Sequence, residues 1–414
     1  MPIMRSVQDH LAAVLAAVGP VAPLDVVLHD AVGCILAADL VARQDLPALA
    51  VAARDGYAVA AHDTAGAGYT GDLRLPVVHD VRPGGGAPLR LVAGQAVRIG
   101  SGAPLPLGAD AVVPLEETDR GAAVVALQRP AVAGEHVRSA GADVRAGDVV
   151  LAAGTRLGAR QLALAAAMGR GRLRVHPTPR VVLLSVGDEL VEPGTPTTPD
   201  GATFEADGHA LEAAVRDAGA SPVRVGILPD DRSVLREALE DQLVRADLVI
   251  TTGGLSELAH DTVKDVLAPL GSVRLDHVAM TPGQRHGFGT VGEVLGQDRT
   301  VPIFALQGHP VAAQVSFEVF VRPALRAMAG HAELFRPSLA AQVTEGWSSP
   351  AGLRQFVPAN VVGSPEEGYL ATPLGDPADP SVHALADANA LAVVGEQDVA
   401  VHAGQVVQCL VLEG

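Results

Sequence analysis

Three stretches of this chain close an apolar run with glycine and polar residues: "LLSVGDEL" (Ser185, Gly187, Asp188, Glu189), "VITTGGLS" (Thr252, Gly253, Gly254, Ser256) and "IFALQGHPVAA" (Gly308, His309, Pro310). Glycine at a strand-to-helix turn lets backbone N–H groups approach an anion, and the following helix N-terminus adds partial positive charge. One such turn is equally well a tight connection with no ligand, but three in one domain favour a broad anionic or polar ligand. Asp188 and Glu189 adjoin the first turn, where carboxylates repel a phosphate unless a cation bridges them. Mg²⁺ suits that task, because it takes oxygen ligands and keeps several waters. Pairing with a helix N-terminal dipole is the structural alternative for the same two acids.

The elements that position these turns can be read from periodicity. After the proline-marked junction "HPTPR" the chain alternates continuous apolar strands ("RVVLLSV", "PVRVGIL", "DLVITT", "VPIFAL") with amphipathic helices ("GHALEAAVRDAG", "SVLREALEDQLV", "VAAQVSFEVFVRPALRAM"). That alternation predicts a doubly wound parallel sheet, with ligands beyond the carboxyl ends of its strands. Before the junction, from Leu46 to about Arg138, short apolar runs punctuated by Gly and Pro predict a β-rich unit, and the tail from about Phe335 returns to short strands. At the start, Ser6 and Asp9 read as a capping box, and Leu11, Val14, Leu15 and Val18 share one helical face that Gly19-Pro20 stops. This is a surface-docked helix and neither a signal peptide nor a membrane span. "GAGYTG" (Gly66, Gly68, Gly71) matches a dinucleotide fingerprint by letter, but without the flanking strand and helix it reads as a loop.

Composition narrows the function further. The chain has 414 residues, enough for two to four compact units, and a net charge of -17 from 47 acidic and 30 basic residues. A phosphate backbone is repelled over most of such a surface, so nucleic acid is not an expected partner. Cys34 and Cys409 lie far apart without metal-ligand spacing, which fits a reducing cytoplasm. The P-loop, HExxH and GxSxG signatures are absent, which removes the best signals for P-loop nucleotide hydrolysis, zinc proteolysis and α/β-hydrolase chemistry.

Several ordered motifs carry a resemblance. "AARDGYAV", "GSGAPLPLGADAVVPLEE", "GADVRAGD", "SVGDELVEPG", "TTGGLS", "MTPGQRHGFG", "LQGHPVAA" and "LADANALAVV" together resemble the molybdopterin molybdenumtransferase family, which includes MoeA and the gephyrin E domain, over nearly the whole chain. The resemblance implies an α/β multidomain fold. Its parts are a split linking domain (1–45 and 139–176), a β-rich insert domain (46–138), a doubly wound MogA-like molybdopterin-binding domain (177–328) and a C-terminal β-barrel (329–414). It implies a cytoplasmic homodimer whose cleft lies between the α/β domain of one subunit and the insert domain of the other. The implied activity is insertion of molybdate into adenylylated molybdopterin with Mg²⁺, releasing AMP.

Carried over by position, Asp55, Ser101, Asp143, Asp188 and Glu189 are the catalytic candidates, and Asp188, Glu189 and Asp261 the metal ligands. Substrate binding falls to Gly187, Asp230, Gly253, Gly254, Ser256, Asp261, Arg285, Gly308, His309 and Ser381. Each acid also has a purely structural reading: Asp55 as a turn residue, Asp143 as a loop carboxylate, Asp230 as a helix N-cap. The chain departs from the family pattern at Leu258, Ala259, Thr281, Gln284, Gln307 and His309, and carries Asp207 where an asparagine is expected. A charge-assisted hydrogen bond contributes roughly 1.5–3 kcal/mol, so the two lysines missing at positions 281 and 284 remove much of the anion wall. Arg285, His286 and His309 are the cationic side chains placed to replace them. Two functions follow from this. The first is a molybdenumtransferase; the second is a gephyrin-like scaffold binding a protein tail, for example from a cytoskeletal or cell-division protein.

Overall fold

The computed structural model describes residues 4–68, 73–84, 89–195, 201–255, 262–270, 272–292 and 300–412. Two compact units emerge, Ala38–Arg172 and Met1–Ala37 with Leu173–Gly414. Among the described residues no helix is long and apolar enough to cross a membrane.

In the larger unit, helix α1 (Val7–Ala17) begins at the expected cap: Ser6 Oγ accepts the Asp9 N–H at 3.0 Å and donates to Asp9 Oδ2 at 2.7 Å. Its buried stripe differs from the apolar face read by periodicity. Val7, His10 and Val14 are buried, with Leu11 and Val18 packed beside them, so a histidine occupies a core position.

The central sheet consists of β1 (Arg180–Val186), β2 (Ser221–Leu228), β3 (Leu248–Thr252), β4 (Arg274–His277), β5 (Arg285–Val291) and β6 (Val301–Leu306), in the order β2-β1-β3-β6-β5-β4. The first four in that order run parallel, and β5 and β4 add an antiparallel edge. The inner parallel strands β1, β3 and β6 are the continuous apolar runs of the sequence, as burial on both faces requires, and β2 at the edge is only partly buried. One face packs Val181, Leu183, Ile250, Phe304 and Leu306 against α1 and the helices α2 (Asp207–Asp217), α5 (Pro310–Ser316) and α6 (Arg322–Met328). The other packs Val182, Leu184, Val249 and Ile303 against Leu235 and Leu239 of α3 (Arg232–Leu243) and Val263 of α4 (Thr262–Leu267). A π-helical turn, Phe317–Val321, joins α5 to α6.

A closed five-stranded β-barrel follows. Strands β7 (Ser338–Val343), β8 (Arg354–Ser364), β9 (Gly368–Pro373), β10 (Ala390–Val394) and β11 (Val406–Val411) form the ring β8-β9-β7-β11-β10, which closes by β10 pairing with β8. Its interior is small and aliphatic, with Val357, Ala371, Ala392, Val407 and Cys409 among its residues, as a composition with 3% aromatics requires. The short helix α7 (Val382–Asp387) precedes β10.

The smaller unit contains a five-stranded sheet in the order Ala111–Pro114, Gly56–Val59, Ala96–Ile99, Leu73–Val81, Val124–Leu127. Two-stranded pairs (Val137–Arg138 with Val51–Ala52, Val149–Leu151 with Leu40–Val41) and the helix Ala159–Ala167 complete it.

Candidate active site

The three glycine turns meet at the carboxyl end of the parallel sheet. Gly253 follows β3 with φ +82°, a conformation that L side chains rarely adopt, and a Cβ there would run into the Val186 carbonyl at the end of β1. Its N–H is donated to the carbonyl of Leu306, which ends β6, at 3.2 Å. Gly308 faces the same turn, where an added Cβ would stand 3.1 Å from the Gly253 Cα. Glycine is therefore needed at these turns because backbones approach each other there. Gly254 continues the turn at φ +65°, and Val263 of α4 occupies the space a side chain would need.

On the α3 and α4 side of these turns lies an acidic cavity of about 710 Å³, lined by Asp188, Asp230, Asp231, Arg232, Ser233, Thr262 and Asp265. Gly187 and Asp230 lie at the ends of β1 and β2: the Gly187 N–H goes to Leu228 O at 3.0 Å, and the Asp230 N–H goes to Asp188 Oδ1 at 3.0 Å. Asp188 thus ties two strand ends together while its second oxygen has no hydrogen-bond partner among the described residues. Glu189 lies beside it with its carboxylate folded against Gly187. Asp231, and not Asp230, caps α3, accepting the Ser233 and Val234 N–H groups at 2.8 and 3.0 Å; these bonds, led by the Ser233 hydroxyl, hold its carboxyl below the usual carboxylate range. Arg232 pairs with Asp265, leaving the cavity with a surplus of carboxylates.

On the opposite face of the same strand ends the polar groups are buried. Glu205, 1% exposed, accepts the Ser185 hydroxyl at 3.1 Å and the Gly208 N–H at 2.5 Å through Oε1. Arg224 on β2 approaches its Oε2 at 3.3 Å as an ion pair without hydrogen-bond alignment. Asp207 opens α2 beside it, and burial, with the Glu205 charge second, pushes its carboxyl up to about 7. The Asp207 carboxyl is therefore only about half ionised at neutral pH. Nothing in the spacing of "FEADG" marked these two acids as buried.

The segment 278–285 closes the remaining side. Arg285 donates to Leu255 O at 3.1 Å, which brings its guanidinium beside the Gly253–Gly254 turn. His286 does not serve as the replacement cation: it is 2% exposed, its Nε2 lies 2.7 Å from Gly283 O, and burial, then the neighbouring His10, lowers its pKa to about 3. It is neutral at any working pH. His309 is exposed at the N-cap of α5 without a side-chain capping bond.

The other sequence candidates are placed elsewhere. Ser381 caps α7, its Oγ accepting the Ala384 N–H at 3.1 Å, and no hydrogen bond joins it to the strand-end turns among the described residues. In the smaller unit, Asp55 Oδ1 accepts the Ser101 N–H at 2.7 Å and the Ser101 hydroxyl goes to Ala53 O at 3.2 Å. Asp55 lines a cavity of about 220 Å³ with Asp80, Arg82, Arg98 and Gly100. Asp143 is outside that lining and pairs with Arg138. Ser256, Leu258, Ala259 and Asp261, with Gly71 of the glycine-rich loop, lie outside the described residues.

Comparison with known proteins follows the same order along the chain. Residues 5–169 match the MoeA N-terminal region (domain I and II), residues 182–327 the family described as "Probable molybdopterin binding domain", and residues 340–412 the MoeA C-terminal region (domain IV). Molybdopterin molybdenumtransferase 2 of Mycobacterium tuberculosis (strain CDC 1551 / Oshkosh) is 41% identical over 411 residues, spanning 98% of this chain and 99% of that protein. Molybdopterin molybdenumtransferase of Bacillus subtilis (strain 168) is 32% identical over 392 residues, 94% of this chain and 89% of that protein. The crystal structure of the molybdopterin biosynthesis MoeA protein from Pyrococcus horikosii superimposes with a TM-score of 0.81 at 28% identity, covering 99% of this chain and 100% of that one.

Proposed function

The chain belongs to the molybdopterin molybdenumtransferase (MoeA) family, and from that premise we propose that it acts in molybdenum cofactor biosynthesis, inserting molybdate into adenylylated molybdopterin and releasing AMP. The observation that carries this reading is the packing of Gly253 and Gly308 at the carboxyl end of the sheet, with the Arg285 guanidinium and the Asp188 cavity on either side. Backbone N–H groups of the strand-end turns and Arg285 hold the phosphates of the ligand. Asp230 lies on the same ligand path, with His309 at its α5 side, and Ser256 and Ser381 are carried over as ligand contacts by the family resemblance. Asp55 and Ser101 act from the insert domain, and Asp143 from the linking domain.

The donor set near β1 fits Mg²⁺ in chemistry, since Asp188 and Glu189 offer hard oxygens and Asp188 has one oxygen uncommitted. Mg²⁺ takes oxygen ligands from carboxylates and completes its shell with a ligand's phosphate and water. Asp188, Glu189 and Asp261 would hold it, and when bound it would neutralise phosphate charge that the chain's own acids repel. The reading also takes a cytoplasmic homodimer. It keeps the four-part division into 1–45 with 139–176, 46–138, 177–328 and 329–414. The relatives' names speak for the transferase and none for a scaffold that binds a protein tail.

Purified protein given adenylylated molybdopterin, molybdate and Mg²⁺ is expected to release AMP. Release no faster than from a boiled control sinks the proposal.

A further inference from the structure

Two histidines lie in the core of the larger unit with a turn of the candidate site built on one of them. His10 on α1 is 1% exposed and His286 on β5 is 2% exposed. Their ring centroids are 5.3 Å apart, and Phe320 of the π-helical turn meets both edge-on, at 4.8 and 5.0 Å. A carbonyl oxygen can only accept, so the 2.7 Å contact of His286 Nε2 with Gly283 O puts the imidazole proton on Nε2. Burial keeps the ring neutral, and its donor is therefore permanently committed to that carbonyl.

The turn so held is gripped from several directions. Gly283 packs on α5, where an added Cβ would come within 2.8 Å of Ser316 Oγ and 3.3 Å of Ala312 O. The Val278 N–H closes the excursion on Gln284 O at 2.7 Å. Met280–Thr281 pairs in parallel with Arg354 and Gln355 of β8, and Arg5 forms a parallel bridge to Val278. Arg285, next to His286, carries the result to the ligand side through its bond to Leu255 O. The strand pairings and the Val278–Gln284 bond fix the flanks of the segment, while at its apex Gly283 packs on α5 and its carbonyl is fixed by the bond from His286.

We propose that His286 is a positioning residue for the pterin phosphate: its Nε2–H sets the Gly283 turn, which sets the angle at which Arg285 reaches the Gly253–Gly254 turn. This rests on the transferase reading above. His10 packs the ring from behind and makes no hydrogen bond to the turn.

The test uses the full chain with three variants. His286→Phe keeps an aromatic ring and removes the donor; His286→Gln restores a donor at nearly the same reach; His10→Phe alters only the packing behind. In folded His286→Phe the KM for adenylylated molybdopterin is expected to rise about tenfold with kcat changed by less than about threefold, because a ground-state grip is lost. His286→Gln should return KM most of the way, and His10→Phe should leave it at the wild-type value. Amide hydrogen exchange over 278–286, with the Val278 N–H as reporter, should quicken in His286→Phe alone. A loss of packing without loss of aim would lower thermal stability in every variant and leave the KM order untouched. Should His286→Phe fail to fold, His286→Met takes its place as the donorless variant. A donorless variant that folds with wild-type KM, or His286→Gln behaving like it, overturns the proposal while wild-type AMP release leaves the parent reading standing. Absence of wild-type release overturns both, and unchanged exchange over 278–286 overturns this one by itself.

Discussion

The two faces of the sheet at its carboxyl end carry the same residue types in opposite states. Toward α3 and α4, Asp188, Asp230 and Asp231 are exposed around an open cavity, and backbone N–H groups hold Asp188 and Asp231. Toward α2, Glu205 and Asp207 are 1% and 6% exposed, and Glu205 is tied to Ser185, Gly208 and Arg224. A carboxylate in water keeps its charge and is available to a ligand; one taken out of water must be paired or hold a proton. The first face is therefore arranged for binding at little cost in stability, and the second supports the frame at the expense of availability. The strand ends between them, with Gly253 at the crest, belong to both.

The largest effect expected from this contrast comes from Glu205→Ala. It strands the buried Ser185 hydroxyl and the Gly208 N–H and removes one of the two carboxylates paired with Arg224, which keeps Glu192, and breaking such a buried arrangement costs about 3–5 kcal/mol. Urea unfolding measures it directly. A loss below about 1 kcal/mol would show that the buried face bears no more of the frame than an exposed pair does.

Asp207 gives the next largest effect, and its sign is set by the direction of its shift. A carboxyl raised from 3.8 to about 7 in the folded chain favours folding fully below the unfolded value, and that contribution is lost as pH rises through about 7. The wild-type chain should lose stability between about pH 4 and pH 8 on this account, on the order of 2–4 kcal/mol. Asp207→Asn removes the dependence, so the variant should match the wild type near pH 4 and exceed it at pH 8. Parallel urea midpoints across that range would mean that Asp207 is ionised in place and that the buried face resembles the open one.

How much of this was legible beforehand depends on the range of the physics involved. The strands "VVLLSV", "LVITT" and "VPIFAL" announce themselves because burial on both faces leaves continuous apolar text, and the glycine turns follow from their position after those strands. The antiparallel edge did not, since "RLDH" and "RHGFGTV" carry too few apolar residues to be told from loop. Asp188 was legible as a strand-end acid. The burial of Glu205 and Asp207 was not, because it depends on Ser185 and Arg224, twenty and nineteen residues away from Glu205, closing over them. His286 misled for the same reason: its residue type suggested a cation, and the rings of His10 and Phe320, from distant segments, made it a neutral strut.

The smallest expected effect on stability falls where the largest effect on turnover should be. Asp188→Asn keeps an oxygen that can still accept the Asp230 N–H, so the strand ends stay joined and unfolding should shift by no more than about 0.5 kcal/mol. What the substitution removes is the charge facing the cavity. If that charge holds the cation that neutralises the ligand's phosphates, AMP release should fall by about 100-fold or more while the fold is undisturbed. The comparison of the two faces would then be complete in one residue pair: Glu205→Ala destabilises the chain through lost pairing, and Asp188→Asn inactivates a stable one. Wild-type AMP release in Asp188→Asn would instead assign the open acids to solubility and turn geometry, and would move the search for the metal-side carboxylate to Glu189 and Asp261.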